Sequence, residues 1–391
     1  MKNKHMSEPT SGRSATGDLS PRALERAIRI LGGEIREGRP DPEGLSALAE
    51  IIFPGEDVSD PRFVCWMYEQ NPSGRALEYV TLNKGLVSGH IAALPLRYQL
   101  GFRTALGSVA VNAITHPDYR GKGVFIILTD LLNKRSASVG IEFSFGFANL
   151  NSEKACLRHL SYRELGRFPL WILPFRLPRI IAAQESKRGA LWRSAARLAQ
   201  PAARAWSTVL RPHIHKGTTV ERLTEIGPEF DALWESAKGA YGNIIVRDRA
   251  FLDWRFVRSP TRRYEILAAR KDGRLLGYLV STTTTVQGLK WAMIMDMFVA
   301  DSREGRSAAS ALVREHVRRS RAAGADLAAG LMFKHAPAAA GLRHNGFLVC
   351  PPGLLPREFP ILLHWNMPGP EPAGFYDIKS WFITMADYDA A

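Results

Sequence analysis

The sequence has few cysteines and no long apolar segment. Its 391 residues include three cysteines, Cys65, Cys156 and Cys350, which lie far apart and in no metal-ligand spacing. This pattern indicates neither a disulfide framework nor a metal site. The sequence contains no run of about 18 uncharged apolar residues, so it does not predict a membrane-spanning helix. Residues 1–19 lack the apolar core of a signal peptide, so we expect a disordered leader there and a location in the reducing cytoplasm.

Acidic residues are scarcer than basic ones. The chain has 38 Asp and Glu against 52 Lys and Arg, a formal net charge of +14, and a pI near 9.9. Such an excess suits nucleic acid, an anionic membrane surface or an anionic small ligand. Residues 170–216 hold nine basic residues and one acidic residue, which is +8 of the +14. No nucleic-acid partner is expected, because net charge alone favours one and no recognisable reading motif is present.

An internal repeat runs through the chain. Residues 63–89 align without a gap on residues 251–277, and six of these 27 positions are identical. Further along, ACLRHLSY at residues 155–162 matches AGLRHNGF at residues 340–347. Two matched segments in the same order favour duplication over chance. We therefore predict one fold present in two copies.

The repeat divides the chain into two predicted domains, which its length and composition allow. The first domain is predicted over residues 20–175 and the second over residues 217–391, with a basic helical linker at residues 176–216. Trp66 and Trp254 recur at the same place in the repeat. Because a duplicated fold keeps its core, we predict that both pack in the interior rather than bind a ligand.

The predicted linker is rich in alanine and arginine. Its composition favours a helix, which we expect to be interrupted at Pro201. A basic amphipathic helix can lie on an anionic membrane, so residues 176–211 are a candidate peripheral membrane contact. The alternative is a helix that packs across the two domains with its arginines in solvent. The sequence leaves both open.

The segment ITHPDYRGKGVF, residues 114–125, lies between predicted strands and a predicted helix. A hairpin with Asn83-Lys84-Gly85 at its turn comes first, followed by a strand at residues 108–115. A helix is predicted near residues 124–139 and another strand at residues 141–147. The segment is therefore a turn that connects a strand to a helix.

A turn of this kind is suited to an anion. It directs backbone N–H groups to one place, where the helix dipole also favours negative charge. Arg120 and Lys122 add positive charge, while Gly121 and Gly123 allow a ligand to approach the backbone. Taken alone, R-G-K-G is equally consistent with a solvated basic turn.

In context, the segment resembles the acyl-CoA-binding region of the GNAT acyltransferase superfamily. The resemblance rests on T-H-P-D-Y-R-G-K-G, on the strand ending in G-F-A-N-L-N-S and on the LRH helix, and it covers residues 45–170. The family pattern falls on Arg120, Gly123 and Phe125, of which the first two match and Phe125 replaces a small residue. The resemblance extends to the second copy as architecture only. It implies an α/β (α+β) protein of two GNAT-like domains, each a mixed, largely antiparallel sheet with flanking helices, joined by the basic helical linker.

The resemblance also implies roles for individual residues, with acetyl-CoA or another acyl-CoA as co-substrate and no metal. The turn would bind the pyrophosphate of coenzyme A, the adjoining strand edge would hold the pantetheine arm, and the residues after the next strand would lie near the thioester. The implied cofactor-binding residues are Ile114, Thr115, Arg120, Gly121, Lys122, Gly123, Val124, Phe125, Asn151 and Ser152.

The catalytic residues are not identified by the resemblance. Many family members carry a glutamate on the strand before the turn and a tyrosine on the later helix, but that strand has no carboxylate and Leu157 stands at the tyrosine position. Tyr162 falls in a register more typical of core residues, and a histidine before a proline is as suited to capping as to catalysis. Asp296 of the second copy could reach a shared cleft. The candidates are Asn112, His116, Glu153, His159 and Tyr162.

The second copy has D-S-R-E-G-R-S-A where the first has the basic turn, and the alignment places Arg306 at the essential glycine. We therefore expect this copy to have lost its cofactor. The predicted function is an acyl-CoA-dependent N-acyltransferase with a small-molecule or lipid-linked amine acceptor, such as an amino sugar or a cell-envelope precursor. The alternatives are a non-catalytic nucleotide- or membrane-binding regulatory protein and a Fem-like aminoacyl transferase.

Overall fold

Two β-sheets with helices on their faces form the protein, as a computed structural model shows. It describes residues 32–39, 42–183, 190–209, 214–351, 355 and 358–387. The predicted leader at residues 1–19 lies outside these residues. Both sheets are mixed and largely antiparallel, which confirms the predicted fold class.

The first sheet has eight strands among the described residues, and the strands are numbered along the chain. In spatial order they are β1 (Glu34–Glu37), β2 (Leu77–Asn83), β3 (Leu86–Leu100), β4 (Arg103–Thr115), β5 (Phe143–Phe147), β15 (Pro360–Trp365) and β6 (Arg163–Arg167), with β9 (Ile244–Ile245) paired to β3. The predicted hairpin is confirmed. Lys84 and Gly85 have φ of 49° and 80°, as a two-residue turn between twisted strands requires.

The second sheet has seven strands. In spatial order they are β14 (Leu348–Val349), β7 (Leu170–Pro174), β13 (Leu327–Leu331), β12 (Leu289–Val299), β11 (Arg274–Val286), β10 (Glu265–Lys271) and β8 (Thr219–Leu223). Its hairpin repeats that of the first sheet, with Asp272 and Gly273 at φ of 50° and 76°.

Ten α-helices cover the sheets in the described part of the chain. They are α1 (Pro42–Ile52), α2 (Pro61–Glu69), α3 (Val124–Ser138), α4 (Leu150–His159), α5 (Leu177–Ala183), α6 (Ala190–Val209), α7 (Glu229–Ala237), α8 (Arg249–Leu252), α9 (Arg303–Ala322) and α10 (Ala339–His344). Helix α2 shows why these segments are helical. Asp60 caps it by accepting the Arg62 N–H at 2.8 Å, and Pro61 occupies its first turn.

The two sheets exchange strands. Strand β7 belongs to the first copy in sequence but lies in the second sheet, between β13 and β14. Strand β15 comes from the second copy but lies in the first sheet, between β5 and β6. The sheets therefore do not follow the predicted boundary at residue 175, and neither sheet is complete without the other half of the chain.

A pair of tryptophans joins the two halves. The rings of Trp66 and Trp254 stack with centroids 5.1 Å apart. The Trp66 indole N–H donates to the Trp254 carbonyl at 3.0 Å, and the Trp254 indole N–H donates to the Trp66 carbonyl at 3.2 Å. Both residues are buried, so the predicted core role is confirmed. The reciprocal bonds indicate that the copies are related by an approximate two-fold axis.

The linker forms α5 and α6, and α6 continues through Pro201 instead of breaking there. The neighbouring Gln200 binds the end of β7, with its Oε1 accepting the Leu177 N–H at 2.7 Å and its Nε2 donating to the Phe175 carbonyl at 2.9 Å. Trp206 donates its indole N–H to the Gly346 carbonyl at 3.1 Å. These contacts on both sides of Pro201 hold the helix against the second sheet.

Candidate active site

Two glycines shape the turn between β4 and α3. Gly121 and Gly123 have φ of +75° and +80°, a region that side chains other than glycine rarely adopt. A Cβ added at either position would meet no atom within 4 Å. The turn therefore has open space in front of its backbone, and packing within the protein does not require either glycine.

The N-terminus of α3 opens onto the same space. Gly123 is its N-cap, and no side chain of the described residues caps it. The first bond into the helix runs from the Ile127 N–H to the Gly123 carbonyl at 3.0 Å. The amides of residues 124–126 come before this bond and have no acceptor in the helix. Together with the helix dipole they make a favourable position for a phosphate.

Basic side chains lie beside these amides. Arg120 donates from Nε to the Thr115 carbonyl at 3.4 Å, and the Lys122 ammonium lies 4.7 Å from the centre of the Tyr119 ring. Both are exposed, and neither forms an ion pair with another described residue. Their charge is therefore available to an anion at the turn.

Phe125, the departure from the family pattern, is placed away from that space. It is half-buried and packs against two apolar clusters, one beneath α3 and the other around Tyr162 and Cys156. Val124 is buried. At Val124 and Phe125 the side chains pack in the interior, so it is their backbone amides that contribute to the N-terminus of the helix.

A slot opens between β4 and β5 beside the turn. The two strands pair in parallel from Gly107 and Phe143 to Ala110 and Gly146, while β4 continues to Thr115. Past this ladder the β5-facing edge of β4 has no strand partner among the described residues. The predicted residues Ile114 and Thr115 lie on this free stretch.

A β-bulge interrupts β4 at the slot. Two residues of β4, Asn112 and Ala113, face the single residue Ile91 of β3. Asn112 is left-handed, with φ of +49°, and Ala113 is exposed. The bulge bends the strand away from its regular pairing, at the place where β4 and β5 separate.

Buried polar residues support the bulge. His90 on β3 has Nδ1 3.0 Å from the Asn112 carbonyl oxygen and Nε2 3.3 Å from Glu78 Oε2. The Asn112 side-chain amide donates to the Tyr68 hydroxyl at 2.7 Å, and Arg39 donates to Glu78 Oε1 at 3.1 Å. Sequence analysis missed these partners. The one available signal was a charged residue and a histidine within the apolar strands β2 and β3.

The structure gives three of the catalytic candidates other roles. His116 caps the short 3₁₀ helix after β4, where its Nδ1 accepts the Asp118 N–H at 3.3 Å. Glu153 is buried and pairs with Arg167 at 2.6 Å. Tyr162 is buried, its hydroxyl donates to Asn133 at 3.1 Å, and burial raises the pKa of Tyr162 far above its ordinary value. Asn112 is the candidate that lies in the bulge itself, and His159 is exposed at the end of α4.

The predicted residues after β5 form a helix cap. Asn149 Oδ1 accepts the N–H groups of Asn151 and Ser152, each at 3.0 Å, and Ser152 Oγ accepts the Asn149 N–H at 3.0 Å. This capping box fixes the start of α4 at the end of β5, which borders the slot. Asn151 is exposed there.

The corresponding turn of the second copy is closed. Helix α9 begins at Arg303, and its N-cap Ser302 accepts the Gly305 N–H on Oγ at 2.9 Å. Arg306 lies in the first turn of the helix, 3.7 Å from Asp301, and does not take the place of Gly123 at the helix start. The alignment was misleading because this turn is shorter, and the helix caps itself.

The slot of the second copy is filled. Strands β12 and β13 pair only as far as Ile294 and Gly330. Beyond them, Thr384 of the C-terminal segment forms a bridge with Met332 and donates from Oγ1 to Asp296 at 2.8 Å. Asp296 is therefore buried inside the second copy and does not reach the slot of the first.

The described residues lack two other kinds of feature. Within the residues that the structure describes, no group of three or more His, Cys, Asp or Glu side chains could hold a metal ion. The described helices include none that is both long enough and apolar enough to cross a membrane.

Comparisons with known proteins support the fold. No protein-family model matches the sequence, and no curated protein matches it. A GCN5-related N-acetyltransferase from Anabaena variabilis ATCC 29413 superposes with a TM-score of 0.58 and 14% identity, covering 85% of this chain and 73% of that one. Saccharomyces cerevisiae N-myristoyltransferase with bound myristoyl-CoA gives 0.59 and 12%, covering 89% and 84%. At such identities the likeness concerns the fold alone, and this chain has the GNAT-like fold in two copies.

Proposed function

We propose that the chain is an acyl-CoA-dependent N-acyltransferase whose donor binds to the first copy. The observation that carries the proposal is the difference between the two turns. The first copy leaves the N-terminus of α3 uncapped beside the unpaired edge of β4, whereas the second copy caps its helix with Ser302 and fills its slot with Thr384. The names of the structural neighbours, an N-acetyltransferase and an N-myristoyltransferase, support the same class of reaction.

The residues of the first copy fit such a donor. The amides of residues 124–126, with Arg120 and Lys122, would hold the pyrophosphate, and the free edge of β4 at Ile114 and Thr115 would hold the pantetheine arm. The thioester supplies an activated acyl group for transfer to an amine. The bulge at Asn112 would orient the acyl end, because it lies where the strands separate.

For the acceptor, we propose an amine on a small molecule or a lipid-linked precursor, such as an amino sugar of the cell envelope. The basic charge of the chain supports an anionic acceptor. We also propose a cytoplasmic location with peripheral membrane contact through α6, where Leu198 is 82% exposed beside the exposed Arg197. Flotation with anionic vesicles tests this contact, and Leu198→Glu should reduce co-flotation if α6 is the docking face.

Calorimetric titration with acetyl-CoA and longer acyl-CoAs tests the donor site. We expect one site per chain and at least tenfold weaker binding in Gly123→Ala, whose Cβ would enter the space before the turn. Gly140→Ala is the matched control. Gly140 ends the same helix at φ +81° with no atom within 4 Å of an added Cβ, so both variants carry the same backbone strain of about 1–2 kcal/mol.

Equal weakening in both glycine variants, or no binding by the wild type, would overturn the proposed site. Release of free coenzyme A in the presence of a panel of amines then separates an enzyme from a regulatory scaffold. A scaffold would bind the donor with no turnover on any amine.

A further inference from the structure

The environment of His90 defines its hydrogen bonding. His90 is 1% exposed, and both ring nitrogens have an oxygen within hydrogen-bond distance: the Asn112 carbonyl oxygen lies 3.0 Å from Nδ1, and Glu78 Oε2 lies 3.3 Å from Nε2. A carbonyl oxygen only accepts, so the bond to Asn112 requires a hydrogen on Nδ1. The Tyr68 ring stacks parallel to the imidazole, with centroids 6.0 Å apart.

Arg39 binds the carboxylate that His90 contacts. Arg39 donates to Glu78 from Nε at 3.2 Å and from Nη2 at 3.1 Å, and it pairs with Glu69 at 2.7 Å. The same guanidinium lies 5.3 Å from the centre of the Tyr68 ring. Two carboxylates thus face one guanidinium and the imidazole, and the glutamate is held in place from both sides. His90 and Glu78 are both buried, and a buried pair with this many hydrogen-bond partners has little freedom to change its orientation.

The group that this cluster restrains is the backbone of Asn112. Its φ of +49° is one that residues other than glycine seldom adopt. His90 binds its carbonyl and Tyr68 binds its side chain. In the second copy, Tyr278 aligns with His90, but its hydroxyl donates to the Asp296 carboxylate at 2.8 Å. Among the described residues, β12 has no residue at positive φ, so this restraint belongs to the first copy.

We propose that His90 is a positioning residue that fixes the β4 bulge, and through it the strand edge against which the acyl group lies. This inference rests on the proposed function for its catalytic consequence. The restraint of the bulge itself is independent of that function. Glu78 orients the imidazole, and Arg39 orients Glu78.

Two substitutions at His90 separate the two bonds. In His90→Asn the side-chain amide lies near the place of Nδ1 and can still donate to the Asn112 carbonyl. In His90→Gln it lies near the place of Nε2 and can reach only Glu78. We expect His90→Asn to retain most of the wild-type kcat. We expect His90→Gln to lose about 100-fold in kcat, the scale seen when one preorganised donor is removed, with acyl-CoA affinity unchanged.

A structural readout accompanies the kinetics and needs no substrate. Hydrogen exchange at the amides of residues 111–114 should be faster in His90→Gln than in His90→Asn. Tyr68→Phe, which keeps the ring and removes the hydroxyl, should also accelerate hydrogen exchange at these amides. This variant provides the test of the restraint if the His90 variants do not fold.

The outcomes are distinguishable. The inference would be overturned if His90→Asn and His90→Gln had the same kcat and the same rate of hydrogen exchange. If the His90 variants do not fold, a wild-type rate of exchange in Tyr68→Phe would overturn it. Faster exchange in His90→Gln together with no acyl-CoA binding by the wild type would overturn the proposed function and leave the restraint of the bulge standing.

Discussion

The two copies of the fold differ most at the place where strand, turn and helix meet. In the first copy, two left-handed glycines lead into an uncapped helix, and no described strand pairs with β4 past the end of its ladder with β5. In the second, Ser302 caps the helix and the C-terminal segment fills the slot. The same architecture thus leaves the start of the helix uncapped in one copy and capped in the other.

The polar groups at the two slots show the same division. Asn112 of the first copy is held by His90 and Tyr68 and lies past the end of the β4–β5 ladder. Asp296 of the second is bound by Arg247, Tyr278 and Thr384, and it is fully buried. In the second copy, the carboxylate at this position belongs to an ion network that includes Arg247 and Thr384 of the C-terminal segment.

The largest expected effect is on the ion network of the second copy. Arg247 donates to Asp296 at 3.0 Å and to Asp387 at 2.8 Å. Burial alone would lower the pKa of Arg247, but the two carboxylates raise it above its ordinary value. Arg247→Met leaves both carboxylates buried without their cation. We expect a loss of about 3–5 kcal/mol in the free energy of unfolding, measured by urea denaturation.

Arg258→Met is the control for this change. Arg258 pairs with Asp253 near the surface, and its side chain is 71% exposed, so its loss should change stability by at most about 1 kcal/mol. Similar stabilities of the two variants would mean that the network does not hold the C-terminal segment in the second slot.

The next effect concerns a buried histidine of the second copy and depends on pH. Unlike His90, His316 on α9 has no described partner at Nε2, and burial lowers its pKa from 6.5 to about 4. Between these values the unfolded chain binds the proton more tightly than the folded one. Stability is therefore retained above pH 6.5 and lost as the pH falls toward 4, by roughly 3 kcal/mol at most.

His316→Gln should flatten that part of the stability profile, measured by denaturation from pH 7 to pH 4. His159→Gln is the control, because His159 is exposed on α4. If His316→Gln loses as much stability on acidification as the wild type, then another group is responsible for the acid sensitivity.

Local signals made much of the fold predictable. The Asn83-Lys84-Gly85 turn, the strand before the basic turn and the helix after it follow from residues close together in sequence. The core role of Trp66 and Trp254 followed from their repetition. Strand exchange could not be predicted in this way, because β15 is an ordinary apolar segment and the choice of β5 and β6 as its partners depends on the assembled sheet.

The candidate site was likewise predictable in part. Gly121 and Gly123 could be identified from the sequence because their effect is on their own backbone. The support of the bulge was not, since His90, Glu78 and Asn112 meet only when the register of three strands is known. Arg306 was misplaced for a related reason: the two turns differ in length, so matching their residues one to one hides where the second helix begins.

The smallest expected effect concerns the charges at the first turn. Arg120 and Lys122 are exposed, so the double variant Arg120→Ala/Lys122→Ala should weaken acyl-CoA binding by only about 1–2 kcal/mol at low salt. High salt should reduce this difference, because it screens exposed charges. Arg303→Ala removes an exposed charge at the start of α9 and should leave affinity unchanged. A comparable loss in Arg303→Ala would show that the charge of the whole surface, and not the first turn, attracts the donor.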